Sequence, residues 1–215
     1  MTRQRIIILV AALAVAVILG LALAPKVDRL VSKSGPDGET GANVESAGKP
    51  LVGGPFTLVD QTGKTVTDKD FHGKYMLIYF GFTFCPDVCP TELQAIAGAL
   101  GQLGDKAAKV QPIFVSVDPD RDTPAVLAKY VKQFDPRLIG LTGSPEQIAA
   151  VAKAYRVFYE KVKEKPGEGS GAAEDDYTVD HSSVVYLMGP NGEFLTFFAP
   201  GVTPEQMAQK IGSYL

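Results

Sequence analysis

Two cysteines at the junction of a predicted strand and a predicted helix constrain this chain more than any other feature. They lie four positions apart in the run Cys-Pro-Asp-Val-Cys-Pro, as Cys85 and Cys89, and the chain contains no other cysteine. The apolar segment Tyr75–Phe82 predicts a buried strand before them, and Thr91–Leu103 predicts a helix after them. Because an α-helix turns once in about 3.6 residues, thiols four positions apart at its start share one face. The pair is therefore able to hold one soft metal ion or to close a disulfide.

The first fifty residues predict a membrane anchor and a tether. Residues 6–24 are uncharged and mostly apolar, and a helix of that length, at about 1.5 Å per residue, spans a hydrocarbon layer of about 30 Å. Arg3 and Arg5 precede the segment, so residues 1–5 are predicted to be a short cytoplasmic tail and the remainder to be exported. A cleaved signal peptide is the alternative, since residues 22–24 have the small-x-small form of a cleavage site. Residues 25–50 are polar and rich in glycine, which predicts a flexible tether.

Residues 51–215 predict one α/β domain. Its segments have the order of a thioredoxin-like domain with a central mixed sheet flanked by helices. A helix between the strands Tyr75–Phe82 and Val110–Val117 implies a parallel crossover, so the cysteines are expected at the carboxyl end of a central strand. The other predicted elements are a hairpin of Phe56–Asp60 and Thr65–Thr67, helices from Pro124 to about Phe134, from Ser144 to about Tyr155 and from about Thr203, strands Val157–Val162, Ser183–Met188 and Glu193–Phe198, and an exposed loop Lys163–Asp176.

Strand direction distinguishes the two histidines. His72 enters the strand whose far end delivers Cys85, and eight strand residues separate the two ends by roughly 25 Å. His72 is therefore predicted to be an ordinary surface histidine at the opposite edge of the sheet. His181 precedes the strand Ser183–Met188, and if that strand runs antiparallel beside Tyr75–Phe82, the imidazole faces the thiols.

The acidic residues near the predicted site have two interpretations. The segment Asp118–Asp122 follows the second central strand and is expected to be a helix-capping loop with a solvated acidic face, or a segment that docks a partner or tunes a metal through Asp118. Asp180 is a candidate for orienting His181. The net charge of −3 and the lack of basic blocks argue against a nucleic-acid partner.

Two thiols and one imidazole form a ligand set for a soft metal. With an open fourth position they suit copper in either redox state, or zinc. Pro90 fits the first helical position, so the helix end is expected to lower the pKa values of both thiols on an exposed turn.

Three segments, in this order, resemble the Sco/SenC family of membrane-anchored copper proteins: Gly81–Pro90, Val115–Pro124 and Val179–Pro190. The resemblance covers about Gly53 to Tyr214. It implies a thioredoxin fold that binds one copper ion, Cu(I) or Cu(II), through Cys85, Cys89 and His181. It also implies a role in building the CuA centre of cytochrome c oxidase subunit II.

The leading functional prediction is a copper metallochaperone that delivers copper to this CuA site. The alternative is a membrane-tethered thiol–disulfide reductase, in which Cys85 and Cys89 are a redox-active dithiol that keeps the CuA cysteines reduced; a redox sensor is a third option. Thioredoxin-type enzymes have two residues between their cysteines, whereas this chain has three, which favours the metallochaperone over an enzyme. Expected partners are subunit II, an upstream periplasmic copper donor, a thiol reductant and the membrane. The expected location is the inner (cytoplasmic) membrane, single-pass, with the domain facing the periplasm.

Overall fold

The computed structural model describes residues 52–163 and 177–215. The predicted tail, anchor and tether lie outside these residues, as does the predicted loop beyond Lys163. Within the two described ranges, no helix is both long and apolar enough to span a bilayer. The strands and α-helices of the described ranges are β1 Thr57–Asp60, β2 Thr65–Thr67, β3 Tyr75–Gly81, α1 Val88–Leu103, β4 Val110–Ser116, α2 Pro124–Val131, β5 Ile139–Thr142, α3 Pro145–Ala154, β6 Tyr159–Lys163, β7 Tyr177–His181, β8 Val185–Met188, β9 Phe194–Phe198 and α4 Pro204–Gly212, with short 3₁₀ helices at Asp68–Phe71 and Gly104–Lys109.

A mixed sheet of seven strands organises the fold, in the order β2-β1-β5-β4-β3-β8-β9. Strands β3 and β4 are parallel, which confirms the predicted crossover through α1. Strand β8 runs antiparallel to β3 with Val185 opposite Tyr79, which is the strand direction on which the predicted placement of His181 depends. The predicted hairpin of β1 and β2 is also present. The sheet is flanked by helices, in agreement with the predicted architecture.

Burial and capping explain why these segments adopt their structures. Six of the seven residues of β3 are buried, because both faces of a central strand are covered. Helices α2, α3 and α4 each begin with a hydroxyl residue followed by proline, and the hydroxyl oxygen of Thr123, Ser144 or Thr203 accepts a hydrogen bond from a first-turn amide. Both residue types are favoured at these positions.

The structure corrects several predicted boundaries. Helix α1 begins at Val88 rather than Thr91, so Pro90 is its third residue and not its first. Proline is tolerated there because amides of a first helical turn have no intrahelical acceptor. Helix α2 ends at Val131, before the predicted Phe134. The short strand β5 was not predicted, since four residues provide little periodicity.

The segment before His181 forms a strand that the sequence analysis missed. Strand β7 pairs with β6 in a separate two-stranded antiparallel sheet, and its last residue, His181, lies opposite Tyr159. Lys163 ends β6 instead of beginning a loop. The imidazole is therefore carried by a hairpin outside the main sheet.

Candidate metal centre

The carboxyl end of β3 delivers both thiols. Cys85 lies in the turn after the strand, where its amide donates to the Phe82 carbonyl at 3.3 Å. Cys89 lies in the first turn of α1, and its amide donates to Cys85 Sγ at 3.4 Å. Cys85 is half-buried, whereas Cys89 is fully buried. A Cβ atom on Gly81 would lie 2.8 Å from Cys89 Sγ, so glycine at this position lets the strand approach the thiol.

The imidazole of His181 faces the thiols, as predicted. Its Nε2 lies 3.3 Å from Cys89 Sγ, and its Nδ1 lies 3.2 Å from the Ser182 carbonyl oxygen. Because a carbonyl only accepts, Nδ1 carries the ring proton and Nε2 has its lone pair on the thiol side. The ring packs edge-on against Phe82, with centroids 5.8 Å apart.

Cys85, Cys89 and His181 form a three-ligand cluster. Their two sulfurs and one ring nitrogen all lie within 4.8 Å of one another. His72 is placed elsewhere, with Nε2 3.7 Å from Asp68 and close to Gly192 in the turn between β8 and β9. The geometric part of the histidine prediction is thus confirmed, while the role of the cluster as a metal site stays a prediction.

Burial dominates the electrostatics of the cluster. It raises the pKa of the Cys89 thiol to about 12, so the predicted lowering of both thiol pKa values is wrong for Cys89. The prediction assumed an exposed turn, whereas the structure surrounds this sulfur with the core. Burial also lowers the pKa of His181, against the opposing effects of the Ser182 carbonyl and Asp180, which keeps the imidazole neutral. A metal ion entering the cluster must therefore displace the Cys89 proton.

The acidic segment Asp118–Asp122, at the rim of the sheet, is only partly the solvated face that was predicted, because Asp120 alone of its three aspartates is exposed. Asp118 and Asp122 are both fully buried. Asp122 accepts hydrogen bonds from the Ser116 hydroxyl at 2.6 Å and the Thr83 amide at 3.0 Å. Burial raises the pKa of Asp122, and these hydrogen bonds oppose the rise. Asp122 therefore joins the turn that leads to Cys85 to the end of β4.

A cluster of three residues, missed by the sequence analysis, attaches the hairpin to this rim. Buried Asp118 accepts from Arg121 Nε and, at 2.6 Å, from the Tyr177 hydroxyl. Arg121 Nη1 donates to the Tyr177 carbonyl at 2.8 Å, and its guanidinium lies over the Tyr177 ring, 3.7 Å from the centroid. We call Asp118, Arg121 and Tyr177 the polar latch. Only the acidic run at 118–122 was visible in the sequence; its aromatic partner lies 59 positions away from Asp118.

The cluster opens to solvent through a cleft of about 310 Å³ between the Cys85 turn and the end of β7. Asp87, Asp180 and the half-buried Cys85 contribute to its lining. Asp180 is exposed, and the Ser182 carbonyl, not the Asp180 carboxylate, contacts His181 Nδ1. Phe84, adjacent to Cys85, is 64% exposed. Cys85 and His181 thus line the cleft, whereas the buried Cys89 does not.

Comparisons with known proteins agree with the predicted resemblance. The family model SCO1/SenC matches residues 44–215. The human mitochondrial Protein SCO1 homolog is 44% identical over 170 residues, which cover 78% of this chain and 54% of that protein. The chain spans about half the length of the curated relatives it matches.

Solved structures extend the agreement to the fold. Bradyrhizobium japonicum ScoI with copper bound is 49% identical, with a TM-score of 0.68 over 76% of this chain and 99% of that chain. BsSco, described with a disulfide switch as a member of the Sco family of cytochrome c oxidase assembly proteins, is 28% identical, with a TM-score of 0.55 over 74% of this chain and 91% of that chain. These neighbours support the predicted thioredoxin-like fold.

Proposed function

Since this chain belongs to the SCO1/SenC family, we propose that it binds one copper ion per chain and acts in the assembly of cytochrome c oxidase. The ligands are Cys85, Cys89 and His181. The observation that carries the proposal is their convergence, with all three ligand atoms within 4.8 Å of one another. Soft thiolates favour Cu(I), and the added imidazole allows Cu(II) to bind as well.

The position of each ligand supports capture and release of copper as cargo. Cys85 is the accessible thiol and makes the first contact with an incoming ion. Cys89 then loses its proton to solvent as it binds, and the neutral His181 offers Nε2 without losing a proton. With three protein ligands, a further coordination position stays open for a donor group of the partner.

The receiving site in this proposal is the CuA centre of cytochrome c oxidase subunit II. The cleft beside Cys85 supports delivery, because a partner thiolate entering there exchanges with the accessible Cys85 before it reaches buried Cys89. An upstream copper donor and a thiol reductant complete the cycle. In this proposal the domain of residues 51–215 lies on the periplasmic side of the inner membrane. It is held there by a cytoplasmic tail (residues 1–5), a single-pass anchor (residues 6–24) and a tether (residues 25–50).

A thiol–disulfide reductase is the second candidate, and the contact between the cysteines favours it. The Cys89 amide donates to Cys85 Sγ at 3.4 Å, which holds the two cysteines close together. In this function the accessible Cys85 is the attacking thiol and Cys89 the resolving one. The high pKa of buried Cys89 slows the resolving step, because the thiolate is the reactive form.

Copper titration of the reduced full-length protein tests the ligand set. The wild type is expected to bind about one copper per chain, and its Cu(II) form to show an intense thiolate charge-transfer absorption. His181→Ala is expected to lose that absorption, whereas the matched control His72→Ala retains it. A protein that binds no copper, while His181→Ala still exchanges disulfides normally, contradicts the chaperone and supports the reductase.

Oxidase assembly in cells tests the target. Cys85→Ser and Cys89→Ser are each expected to lower cytochrome c oxidase activity on low copper, because each removes a ligand that the cargo needs. His72→Ala again serves as the control. Normal oxidase activity in both cysteine variants contradicts delivery to CuA.

A further inference from the structure

A buried tyrosine hydroxyl beside the cluster lacks a well-formed hydrogen bond. Tyr79 of β3 is fully buried, and within the part of the chain that the structure describes its hydroxyl makes no hydrogen bond of regular geometry, although the Cys89 thiol and the Ser183 hydroxyl lie nearby. Burying a hydroxyl without a partner is unfavourable, and phenylalanine fills nearly the same space without that penalty. The hydroxyl therefore adds little to the stability of the metal-free fold, which points to a role in another state of the protein.

The Tyr79 ring lies beside two of the three proposed ligands. The Tyr79 ring lies 6.2 Å from the His181 ring, at 70° to it. A Cβ atom on Gly81 would lie 2.8 Å from Cys89 Sγ and 3.2 Å from Tyr79 Cε1, so the thiol and the ring edge share the space that glycine leaves. Burial raises the pKa of Tyr79, the nearby Cys89 raises it further, and the Ser183 hydroxyl opposes the rise. The Tyr79 ring thus lies next to Cys89 and His181.

We propose that Tyr79 is a positioning residue whose hydroxyl donates a hydrogen bond to the Cys89 sulfur when that sulfur is a metal-bound thiolate. The inference rests on the proposed function, because metal binding is what creates the thiolate. In the metal-free protein the neutral thiol is a weak acceptor, and its own proton is directed at His181 Nε2, 3.3 Å away. Once a metal takes Nε2 and displaces that proton, the sulfur is a charged acceptor, to which hydrogen bonds are roughly twice as strong.

The hydrogen bond affects the two copper oxidation states differently. It withdraws electron density from the sulfur, which reduces its donation to Cu(II) more than to Cu(I). Tyr79 therefore favours Cu(I) in a site whose imidazole also admits Cu(II). Hydrogen bonds around a ligand sulfur are an established means of tuning a copper potential.

The variant Tyr79→Phe tests this role in the full-length protein. Its Cu(II)–thiolate absorption is expected to move to longer wavelength. Its preference for Cu(I) over Cu(II) is expected to fall about tenfold, which lowers the copper potential by about 59 mV. The matched control is Tyr155→Phe: Tyr155 is equally buried but packs on Phe80, 5.4 Å away, on the other face of β3. The control is expected to leave both quantities unchanged.

Two further measurements separate a hydrogen bond from a packing effect. Exchange into deuterated water is expected to shift the copper–sulfur stretching frequency of the wild type, measured by resonance Raman spectroscopy, and to leave that of Tyr79→Phe unshifted. The melting temperature of metal-free Tyr79→Phe is expected to equal or exceed that of the wild type. An unchanged absorption band, potential and isotope shift in the variant overturn the inference, as does a lower melting temperature, since the hydroxyl would then have a structural partner.

Cadmium separates this inference from the proposed function. Cd(II) reports on a bound thiolate through its own ultraviolet charge-transfer band without any copper. If the wild type binds no copper but its Cd(II) band shifts in Tyr79→Phe, the role of Tyr79 is supported and the copper function alone fails. An unchanged Cd(II) band overturns the role of Tyr79.

Discussion

The proposed copper ligands come from two regions of the molecule that are stabilised in different ways. The thiol region, formed by the end of β3 and the start of α1, is part of the apolar core, and Cys89 is fully buried in it. The imidazole region is the β6–β7 hairpin, in which four of the five residues of β6 are exposed. The polar latch attaches this hairpin to the rim of the main sheet. Apolar packing thus fixes two ligands, and a few polar contacts fix the third.

The largest effect is expected from breaking the polar latch. Arg121→Met removes the closer ion-pair partner of buried Asp118 and leaves only the exposed Lys161, 3.8 Å away, which should lower the free energy of unfolding by about 3 kcal/mol. The variant also removes the donor to the Tyr177 carbonyl, which loosens the hairpin that carries His181. The affinity for Cu(II) should therefore fall toward that of His181→Ala, while Cu(I) stays bound to the two thiols. Urea unfolding and separate Cu(I) and Cu(II) titrations measure these effects.

Glu160→Gln is the matched control for the latch. Glu160 is an exposed residue of the same hairpin and is not part of the latch. Surface substitutions of this kind usually change the free energy of unfolding by less than about 0.5 kcal/mol, so this variant should keep both affinities. Equal losses of Cu(I) and Cu(II) in Arg121→Met would show that the two regions do not hold their ligands independently.

A smaller effect, on the thiol region, is expected from Gly81→Ala. The added Cβ would lie 2.8 Å from Cys89 Sγ and 2.9 Å from Phe114, and such overpacking should lower the free energy of unfolding by about 2 kcal/mol. Because the thiol itself is displaced, affinities for Cu(I) and Cu(II) should fall together, unlike in Arg121→Met. Gly101→Ala is the control, since nothing lies within 4 Å of its added Cβ. A loss confined to Cu(II) would contradict the assignment of Gly81 to the thiol region.

The smallest effect is expected from pH and concerns the imidazole. Burial lowers the pKa of His181 in the folded state, whereas the unfolded value is about 6.5. As the pH falls below about 6.5, the unfolded state takes up this proton first, so the metal-free protein loses stability until the folded pKa is reached. The slope for one proton is at most about 1.4 kcal/mol per pH unit. Urea unfolding at pH 7.5 and 5.5 should show a smaller difference in His181→Asn than in the wild type, and an equal difference would contradict the prediction.

The thiol region could be predicted from the sequence because its information is local and periodic. The apolar run of β3, the helix after it and the crossover to β4 follow from hydrophobic patterns. Chain direction then placed His181 beside the thiols and His72 at the far edge, as the structure shows. A few long, regular elements thus determined which side chains meet.

The strand that carries His181 and the burial of the Cys89 thiol could not be predicted in the same way. Strand β7 has few buried residues, so its pattern is weak, and its partner β6 lies beyond an intervening segment. The burial of Asp118 depends on Arg121 and Tyr177, which no local pattern connects. The burial of Cys89 was missed because α1 begins at Val88, two residues before Pro90, and helix boundaries are poorly defined by sequence.

The β6–β7 hairpin has a connecting end, where the chain passes from one strand to the other, and an opposite end that carries His181. Lys163 pairs with Tyr177, whereas His181 pairs with Tyr159 four residues further along. At about 3.3 Å per residue, the connection between the strands joins them about 13 Å from the imidazole. A change at the connecting end is therefore transmitted to the imidazole through Tyr177, whose carbonyl and hydroxyl join the hairpin to Arg121 and Asp118.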